Sequence, residues 1–352
     1  MKLTSILALT IMLAASGDSM AQKQVAKSQN STIKFVKHEA DKKVDVLIDG
    51  KFFTSYWWPD TVYKPILYPL LTALGTPVTR GFPVTPREGE RRDHIHQVGN
   101  WLNYGNVNGL DFWGNGSEGK RNVNGGQIKH ISIEKLSGGI GEGSMITNAE
   151  WVGPDGKRLI AERTEFHFIA NGSTRIIDRI TTLTSSGEAV TMKDTKEGSF
   201  GIRVARQLEL PSKEDVILTD AQGHPTTVKK MSNDGVTGNY RSSEGITGEA
   251  IWGKRAKWMD LYGNIGNEKI SLVICDHPKN LSYPTYWHAR GYGLFAANPF
   301  GVKDFTAGKE ELNYVIPAGK SLTLRYRIVI SSGSHLTDTE INALADNFAS
   351  KY

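Results

Sequence analysis

The sequence lacks the features that mark nucleic-acid-binding, disulfide-stabilised or membrane-spanning proteins. Its 352 residues include one cysteine, Cys275, so no internal disulfide can form. The formal net charge of +5 is modest for this length, and no run of Lys and Arg makes a stripe that could bind phosphates. No stretch reaches the roughly 18 consecutive apolar residues of a transmembrane helix. We therefore expect no nucleic-acid partner and no membrane span.

The chain also lacks an internal repeat, an alternating strand–helix pattern and a glycine-rich phosphate loop. The run Gly138–Gly143 is rich in glycine but does not have the spacing of a dinucleotide-binding fingerprint, so we interpret it as a loop or hairpin turn. What the chain does have is 37 glycines beside many Thr, Val, Ile and aromatic residues, with only 13 prolines. This composition is typical of strands joined by tight turns.

The first residues have the pattern of a secretory signal peptide. Lys2 precedes a short apolar stretch, Ile6–Ala15, and Ser19-Met20-Ala21 is a small-x-small cleavage signal. We expect residues 1–21 to be removed near Ala21 and the protein to be exported, to the periplasm or the extracellular medium. Residues 22–32 are predicted to be a disordered segment, and residues 33–352 a single β-sandwich domain.

Hydrophobic residues alternate with polar ones along most of the remaining chain, which predicts an all-β fold. In the stretch 321–331, for example, Leu322 and Leu324 share one face while Thr323 shares the other with polar neighbours. Many such runs in one unit indicate a large antiparallel β-sandwich. At the C-terminus, Thr337 and Glu340 form a capping box before an apolar stripe, which predicts a helix over 338–350.

Three polar segments stand out from this pattern: Thr79–Gly116, Lys193–Arg203 and Asp276–Gly301. Each combines titratable side chains with large aromatic ones. Aromatic faces pack on the apolar face of a sugar ring, while charged and amide groups bond its hydroxyls. We expect the three segments to meet in one cleft on a sheet face, with His38, His130, His224 and His335 outside it.

His94 and His96 are the sharpest pair of candidates. If residues 92–98 are extended, the two imidazoles point the same way. The pair could then act in catalysis or substrate binding, ligate a metal, or form structural hydrogen bonds. No cofactor is predicted, but a divalent metal at His94 and His96 would need a further ligand. The candidates for that ligand are His288, His277 and Glu197.

Glu197 is the candidate general base or nucleophile, because an adjacent Lys196 favours its ionised form while burial would raise its pKa. The competing interpretation is a solvated Lys-Glu-Gly turn. The predicted catalytic set is therefore His94, His96, Glu197 and His288. The predicted substrate-binding residues are Arg80, Asp93, Trp101, Trp113, Lys196, Trp287, Arg290, Tyr292 and Asn298.

Five strings together resemble a known family. They are Val78–Pro83, Asp93–His96, Val107–Trp113, Lys196–Gly198 with Arg203, and Trp287–Gly301. The chain resembles the secreted PmoA-like domain family, often labelled "methane oxygenase PmoA" although its function is undefined. Where that family usually has Asp-His-Pro-His-His, this chain has Asp93–Gln97 and lacks the third imidazole. The resemblance covers roughly residues 40–332 and implies a role in glycan metabolism.

The β-rich pattern is also similar to the galactose mutarotase-like supersandwich, in which residues on a concave sheet handle sugars. The resulting prediction is an exported carbohydrate-active protein that processes an oligo- or polysaccharide as a hydrolase, lyase or epimerase. Two alternatives remain open from the sequence. One is a non-catalytic glycan-binding protein, and the other is a metal-dependent oxygenase, as the family label suggests.

Overall fold

The computed structural model describes residues 31–114 and 124–352, so the predicted signal peptide and nearly all of the segment 22–32 lie outside the described residues. The strands are β1 Thr32–His38, β2 Lys43–Ile48, β3 Lys51–Trp57, β4 Ile66–Tyr68, β5 Asn100–Tyr104, β6 Gln127–Ser137, β7 Gly139–Ile140, β8 Glu142–Val152, β9 Arg158–Asn171, β10 Thr174–Ser185, β11 Val190–Met192, β12 Gly198–Arg203, β13 Asn239–Ser242, β14 Trp258–Ile265, β15 Glu268–Asp276, β16 Tyr286–Arg290, β17 Leu294–Asn298, β18 Tyr314–Ile316 and β19 Ser321–Ser332. The helices are α1 Val302–Phe305 and α2 Asp338–Lys351, with 3₁₀ turns at Arg206–Leu208 and Gly248–Ile251.

The strands form two large antiparallel sheets and one small one. The first has nine strands in the order β16-β17-β12-β5-β4-β3-β2-β1-β7, and the second has eight in the order β13-β14-β15-β19-β10-β9-β8-β6. Strands β11 and β18 pair separately. The predicted fold class, a large antiparallel β-sandwich with a C-terminal helix, is confirmed.

The alternation of side chains along each strand separates the core from the site. In β16, Trp287 and Ala289 belong to the hydrophobic core that both large sheets share, whereas His288 points to the other face. In β17, Phe295 likewise faces the core, and Leu294 faces outward. The nine-stranded sheet therefore has an outer face with its own layer of apolar side chains, and the site is built on that layer.

Helix α2 covers the outer face of the eight-stranded sheet. Its N-terminus has the predicted capping box, since the Thr337 hydroxyl accepts from the Glu340 N–H and the Glu340 carboxylate accepts from the Thr337 N–H at 2.7 Å. The stripe on the helix buries Ile341 and Phe348 against this sheet, where Cys275 is a small core residue. Within the described ranges, none of the helices is long and apolar enough to cross a membrane.

A hairpin turn at Asp49-Gly50 joins β2 to β3. Both residues have positive φ, 51° and 75°, which is the conformation that a tight two-residue hairpin turn requires. The hairpin is followed by the short strand β4, and the chain then leaves the sheet to form the loop that carries the first polar segment.

Candidate functional site

A cleft of about 670 Å³ lies on the outer face of the nine-stranded sheet, a volume within the usual range for ligand sites. All three polar segments contribute to it, although they are far apart in sequence. The predicted residues that line it are His94, His96, Glu197, His288, Asp93, Trp113, Lys196, Arg290 and Tyr292. His38, His130, His224 and His335 do not line it.

The histidine pair lies on a tight turn and not on an extended segment, so the expectation for residues 92–98 is wrong. The Gln97 N–H donates to the His94 carbonyl at 2.9 Å, and His94 has a φ of 44°. The turn still brings the two imidazoles together, with ring centroids 5.8 Å apart and ring planes at 74°. Turn geometry, and not strand alternation, places both rings at the cleft.

Two buried arginines hold this turn from below. The Arg80 guanidinium donates to the Asp93 carboxylate at 2.9 Å and to the carbonyls of His94 and Gln97. Arg203 donates to the same Asp93 oxygen at 2.6 Å. Burial alone would raise the pKa of Asp93, but Arg203, the His94 hydrogen bond and Arg80 together hold that pKa well below its usual range. Asp93 is therefore an anchoring carboxylate.

Tyr292 connects the arginine pair to His94. The His94 ring stacks on the Tyr292 ring at 4.8 Å with planes only 4° apart, and the Arg203 guanidinium carbon lies 4.8 Å from the same ring. Arg80, predicted to bind substrate, does not line the cleft, because it is buried and both of its terminal nitrogens donate to the turn. Its role in the structure is to fix the position of the histidines.

His96 has two buried ring nitrogens without a hydrogen-bond partner among the described residues. Burial, together with the nearby Lys64 ammonium, lowers the pKa of His96 to about 2, so the ring is neutral at physiological pH. Lys64 is itself buried and donates to the His96 carbonyl at 2.7 Å. Burial lowers the pKa of Lys64 to about 7. Both nitrogens of His96 therefore lack a partner within the described ranges, although they have almost no accessible surface of their own while the ring lines the cleft.

His288 is supplied to the cleft by β16. It is almost completely buried, and its Nδ1 has no partner among the described residues. Burial lowers its pKa to about 3, so this imidazole is also neutral. The Trp113 ring lies between the two histidines, at 6.2 Å from His96 and 6.3 Å from His288. The aromatic wall predicted for the site is thus formed by Trp113.

Glu197 lies at the end of a loop that is anchored on both sides. The Asn298 amide donates to the carbonyls of Thr195 and Lys196 at 2.9 and 3.0 Å, and the Gly105 N–H donates to the Glu197 carbonyl at 2.8 Å. Asn298 was predicted to bind substrate, but it does not line the cleft. The structure places it where it orients the loop that carries Glu197.

The environment of Glu197 favours its protonated form. Burial raises its pKa, against the opposing effect of Lys196, whose Nζ lies 3.7 Å from a Glu197 carboxylate oxygen. The side chain keeps 37% of its surface exposed, so it is open to a ligand. A carboxyl group that is partly buried beside a cleft and has a raised pKa is suited to general acid–base catalysis.

Two of the predicted tryptophans lie away from the cleft surface. Trp101 is fully buried beneath Trp113, with ring centroids 5.6 Å apart, and Trp287 belongs to the core between the sheets. Alternation along β16 explains the second case, because Trp287 precedes His288 and must point to the opposite face. Neither ring can contact a ligand in the cleft.

The cleft also contains residues that the sequence argument missed. They are Arg91, Asp111, Leu210, Pro211, Ser212, Glu214, Glu249 and Gly291. Asp111 lies in the first polar segment, and its Oδ1 accepts from the N–H groups of Trp113 and Gly114, a local pattern that looks like a turn. Leu210–Glu214 comes from a segment without His or Trp, and Glu249 lies outside the three polar segments, so neither was assigned to the site.

Within the described ranges, no group of three or more His, Cys, Asp or Glu side chains is arranged to hold a metal ion. His277, considered as a further ligand, is buried on the other sheet, where its ring lies 5.1 Å from that of Phe348. His94 and His96 form a close pair, but the arrangement that would make it a metal centre is not found. What the cleft offers is two neutral imidazoles, an aromatic wall and carboxyl groups in different environments.

Comparison with solved structures gives weak likenesses. The galactosidase domain of an alpha-galactosidase–sucrose kinase is 8% identical to this chain, with a TM-score of 0.39. The matched region covers 86% of this chain and 42% of that one. A GH36 alpha-galactosidase from Geobacillus stearothermophilus is 9% identical, with a TM-score of 0.32, and the matched region covers 86% of this chain and 40% of that one. The chain therefore spans about two fifths of these structures, and likenesses at such TM-scores support no conclusion about its activity.

No curated protein matches the chain. One family model does match, over residues 43–346, and it is described as a family of unknown function, DUF6807. That description carries no activity, so the resemblance to the PmoA-labelled family stays a prediction. Because the match extends over most of the chain, this protein belongs to the DUF6807 family.

Proposed function

We propose that this protein is a carbohydrate-active enzyme that cleaves or rearranges a glycan in the cleft between Glu197 and the three histidines. The observation that carries the proposal is the convergence of Glu197, His94, His96 and His288, from three distant segments, around the Trp113 ring. Grouping polar side chains in a partly dry cleft costs free energy unless a ligand pairs with them. A sugar, with one apolar face and many hydroxyls, would fit these groups.

Glycoside hydrolysis is the reaction that these residues support best. Such reactions commonly use two carboxyl groups, one protonated and one ionised. Glu197, with its raised pKa, would protonate the glycosidic oxygen as the C–O bond breaks. Asp111, also on the cleft wall, would take the proton from the attacking water. Before the next turnover, Asp111 would release this proton to solvent and Glu197 would take one up.

The neutral imidazoles would have a binding role in this scheme. His96 and His288 have such low pKa values that they are weak bases. The unpaired nitrogens, both of His96 and the Nδ1 of His288, have almost no accessible surface, so they would bond sugar hydroxyls after a small rotation of each ring. This differs from the acid–base role expected for them from sequence. In a lyase, ionised Glu197 would instead take a carbon-bound proton while the C–O bond to the leaving sugar breaks and its oxygen takes a proton from solvent. In an epimerase, ionised Glu197 would take the carbon-bound proton and a proton from solvent would return to the opposite face of the same carbon.

The test is product analysis of the mature protein incubated with a polysaccharide library, with and without a chelator. New reducing ends with the wild type, and a 10²–10⁴-fold loss of rate in Glu197→Gln, are expected for a general acid–base residue. A second variant, His224→Asn, changes an exposed histidine outside the cleft and should keep full activity. Binding without product formation would instead favour a non-catalytic glycan-binding protein, and activity lost with chelator would favour the metal-dependent oxygenase.

Export is part of the same proposal, because a glycan-processing enzyme meets its polymer outside the cytoplasm. It is supported by the Ser19-Met20-Ala21 cleavage signal. N-terminal sequencing of the protein from the periplasm or medium should begin at or near Gln22. An intact Met1 on exported protein would contradict this part of the proposal.

A further inference from the structure

A second cavity, of about 420 Å³, opens beside strands β3 and β4. Two of the rings that line it, Trp57 and Tyr68, are half-buried, with centroids 6.2 Å apart and planes at 31°. The Trp57 indole donates to the Asp41 carbonyl at 3.1 Å, and the Tyr68 hydroxyl donates to the Gly81 carbonyl at 3.4 Å. Both rings are thus fixed in orientation, so little conformational entropy would be lost when a ligand stacks on them.

We call this cavity the aromatic groove. Its lining has little net charge and consists of Asp41, Lys43, Phe52, Ser55, Trp57, Tyr68, Pro69 and Val84. The Ser55 hydroxyl donates to the Asp45 carboxylate at 2.5 Å, which leaves the Ser55 oxygen free to accept. Lys43 lies 3.3 Å from the same carboxylate. The charges of Lys43 and Asp41, both in the lining, cancel. A lining without net charge suits an uncharged ligand with hydroxyl groups better than an anion or a cation.

The aromatic groove and the cleft are two openings in one apolar layer on the outer face of the nine-stranded sheet. Trp57, Tyr68 and Val84 pack against the same cluster of buried side chains as Tyr292, and Trp113 is a member of that cluster. Trp113 and Tyr292 line the cleft. Four strand-to-strand steps separate β4 from β16, roughly 20 Å at about 4.8 Å per step, so a polymer could occupy both openings.

We propose that the aromatic groove is a second carbohydrate-binding site, which holds a further stretch of the polysaccharide processed in the cleft. The identity of the ligand rests on the proposed function. The position of the site rests on Trp57 and Tyr68 in the aromatic groove. Two rings of fixed orientation, in a lining that also carries one aspartate, one lysine and one serine, supply groups that pack on sugar rings and bond their hydroxyls.

The experiment is affinity electrophoresis of the full chain in gels that contain xylan, arabinogalactan, pectin, mannan or laminarin. We expect the wild type to be retarded by at least one of these polymers. Trp57→Ala and Tyr68→Ala should each weaken the apparent affinity for that polymer about tenfold. Melting temperatures of all variants show whether the loss reflects unfolding.

Trp58→Ala is the matched control, because Trp58 follows Trp57 in the chain but stacks on His130, with ring centroids 4.0 Å apart, and does not line the aromatic groove. It should keep wild-type retardation. Folded Trp57→Ala and Tyr68→Ala proteins with wild-type retardation would overturn the inference, as would the absence of retardation by every polymer.

The two proposals fail in different ways. If Glu197→Gln abolishes product formation but Trp57→Ala changes neither retardation nor rate, the aromatic groove is not a sugar site and the proposed function stands. If retardation depends on Trp57 but no polymer yields a product, the groove is a binding site and the enzymatic proposal is wrong. Glu197→Gln itself should retain most of the retardation, since the groove remains intact.

Discussion

Buried arginines occur on the outer faces of both large sheets, but they serve different ends. On the eight-stranded sheet, Arg327 donates to both oxygens of Asp178 at 2.6 and 2.8 Å and also to the Leu344 carbonyl and Asn347 side chain of α2. Here each guanidinium nitrogen has a partner, and the result is a helix fixed to a sheet. On the nine-stranded sheet, Arg80 and Arg203 fix a turn on which both ring nitrogens of His96 have no partner among the described residues.

The difference distinguishes structure from site. A buried polar group that is fully paired adds rigidity, whereas an unpaired one costs free energy that the fold must supply elsewhere. On the cleft face the unpaired atoms include both nitrogens of His96 and the Nδ1 of His288. Such a cost is understandable when a ligand completes the pairing. On the helix face the Nε2 of His277 also has no partner in the described ranges, but none of the imidazoles described there lines the cleft. We expect the two faces to respond in opposite ways to matched substitutions.

The largest contrast should come from neutralising one carboxylate on each face. Asp178→Asn leaves the Arg327 charge buried and unpaired, so the free energy of unfolding should fall by about 3–5 kcal/mol. Glu197→Gln should leave it unchanged or slightly higher, because the surroundings of Glu197 already disfavour its ionised form. Chemical denaturation of both variants at pH 7 measures this. Equal losses of stability would mean that Glu197 is held as a structural anion.

The sequence predicted the elements that depend on local pattern. Period-two alternation predicted the strands of the sandwich, and the Thr337–Glu340 capping box predicted α2. Both signals depend on residues that are close together in the chain. It also brought His94, Glu197 and His288 together, since polar residues beside aromatics are costly unless they share a cleft.

The errors concern long-range packing. Arg80 and Asn298 look like ligand-binding residues in sequence, but their partners are backbone carbonyls that only the folded loops bring near. Trp287 was assigned to the site although its neighbour His288 fixes the opposite face for it. Glu249 was missed because its segment joins the cleft only through tertiary structure.

A smaller contrast should appear in the pH dependence of stability. The pKa of His288 is about 3 in the folded protein against 6.5 in the unfolded chain, so the unfolded state binds the proton first as pH falls. The contribution of His288 to the free energy of unfolding is therefore fully present above pH 6.5. It is lost on acidification toward pH 3, at up to about 1.4 kcal/mol per pH unit.

His288→Asn should remove that contribution, so its free energy of unfolding should fall less steeply between pH 6.5 and pH 4.5 than that of the wild type. The control is His224→Asn, at an exposed position on the Asp220–His224 turn, which should keep the wild-type slope. Denaturation curves at several pH values give the slopes. A wild-type slope in His288→Asn would mean that His288 is protonated in the folded protein.

The smallest contrast concerns single polar groups on the two faces. On the helix face, the Trp258 indole donates to the Asn342 side chain at 2.7 Å, so Trp258→Phe removes a buried hydrogen bond and should cost about 1–2 kcal/mol. On the cleft face, His96→Leu removes two buried nitrogens that have no partner among the described residues. Replacing such a group with an apolar one of similar size should leave the free energy of unfolding unchanged or raise it by up to about 1 kcal/mol.

Guanidinium denaturation at pH 7, where His96 is neutral, compares the two variants directly, and an unchanged m-value shows that both unfold from similar native states. His96→Leu should at the same time lose glycan turnover, because the nitrogens that it removes are those that would bond a sugar hydroxyl. A gain in stability with a loss of turnover identifies His96 as a ligand-binding group held at a cost to the fold. A loss of stability as large as that of Trp258→Phe would show instead that His96 is paired within the folded protein, and the distinction between the two faces would no longer hold for it.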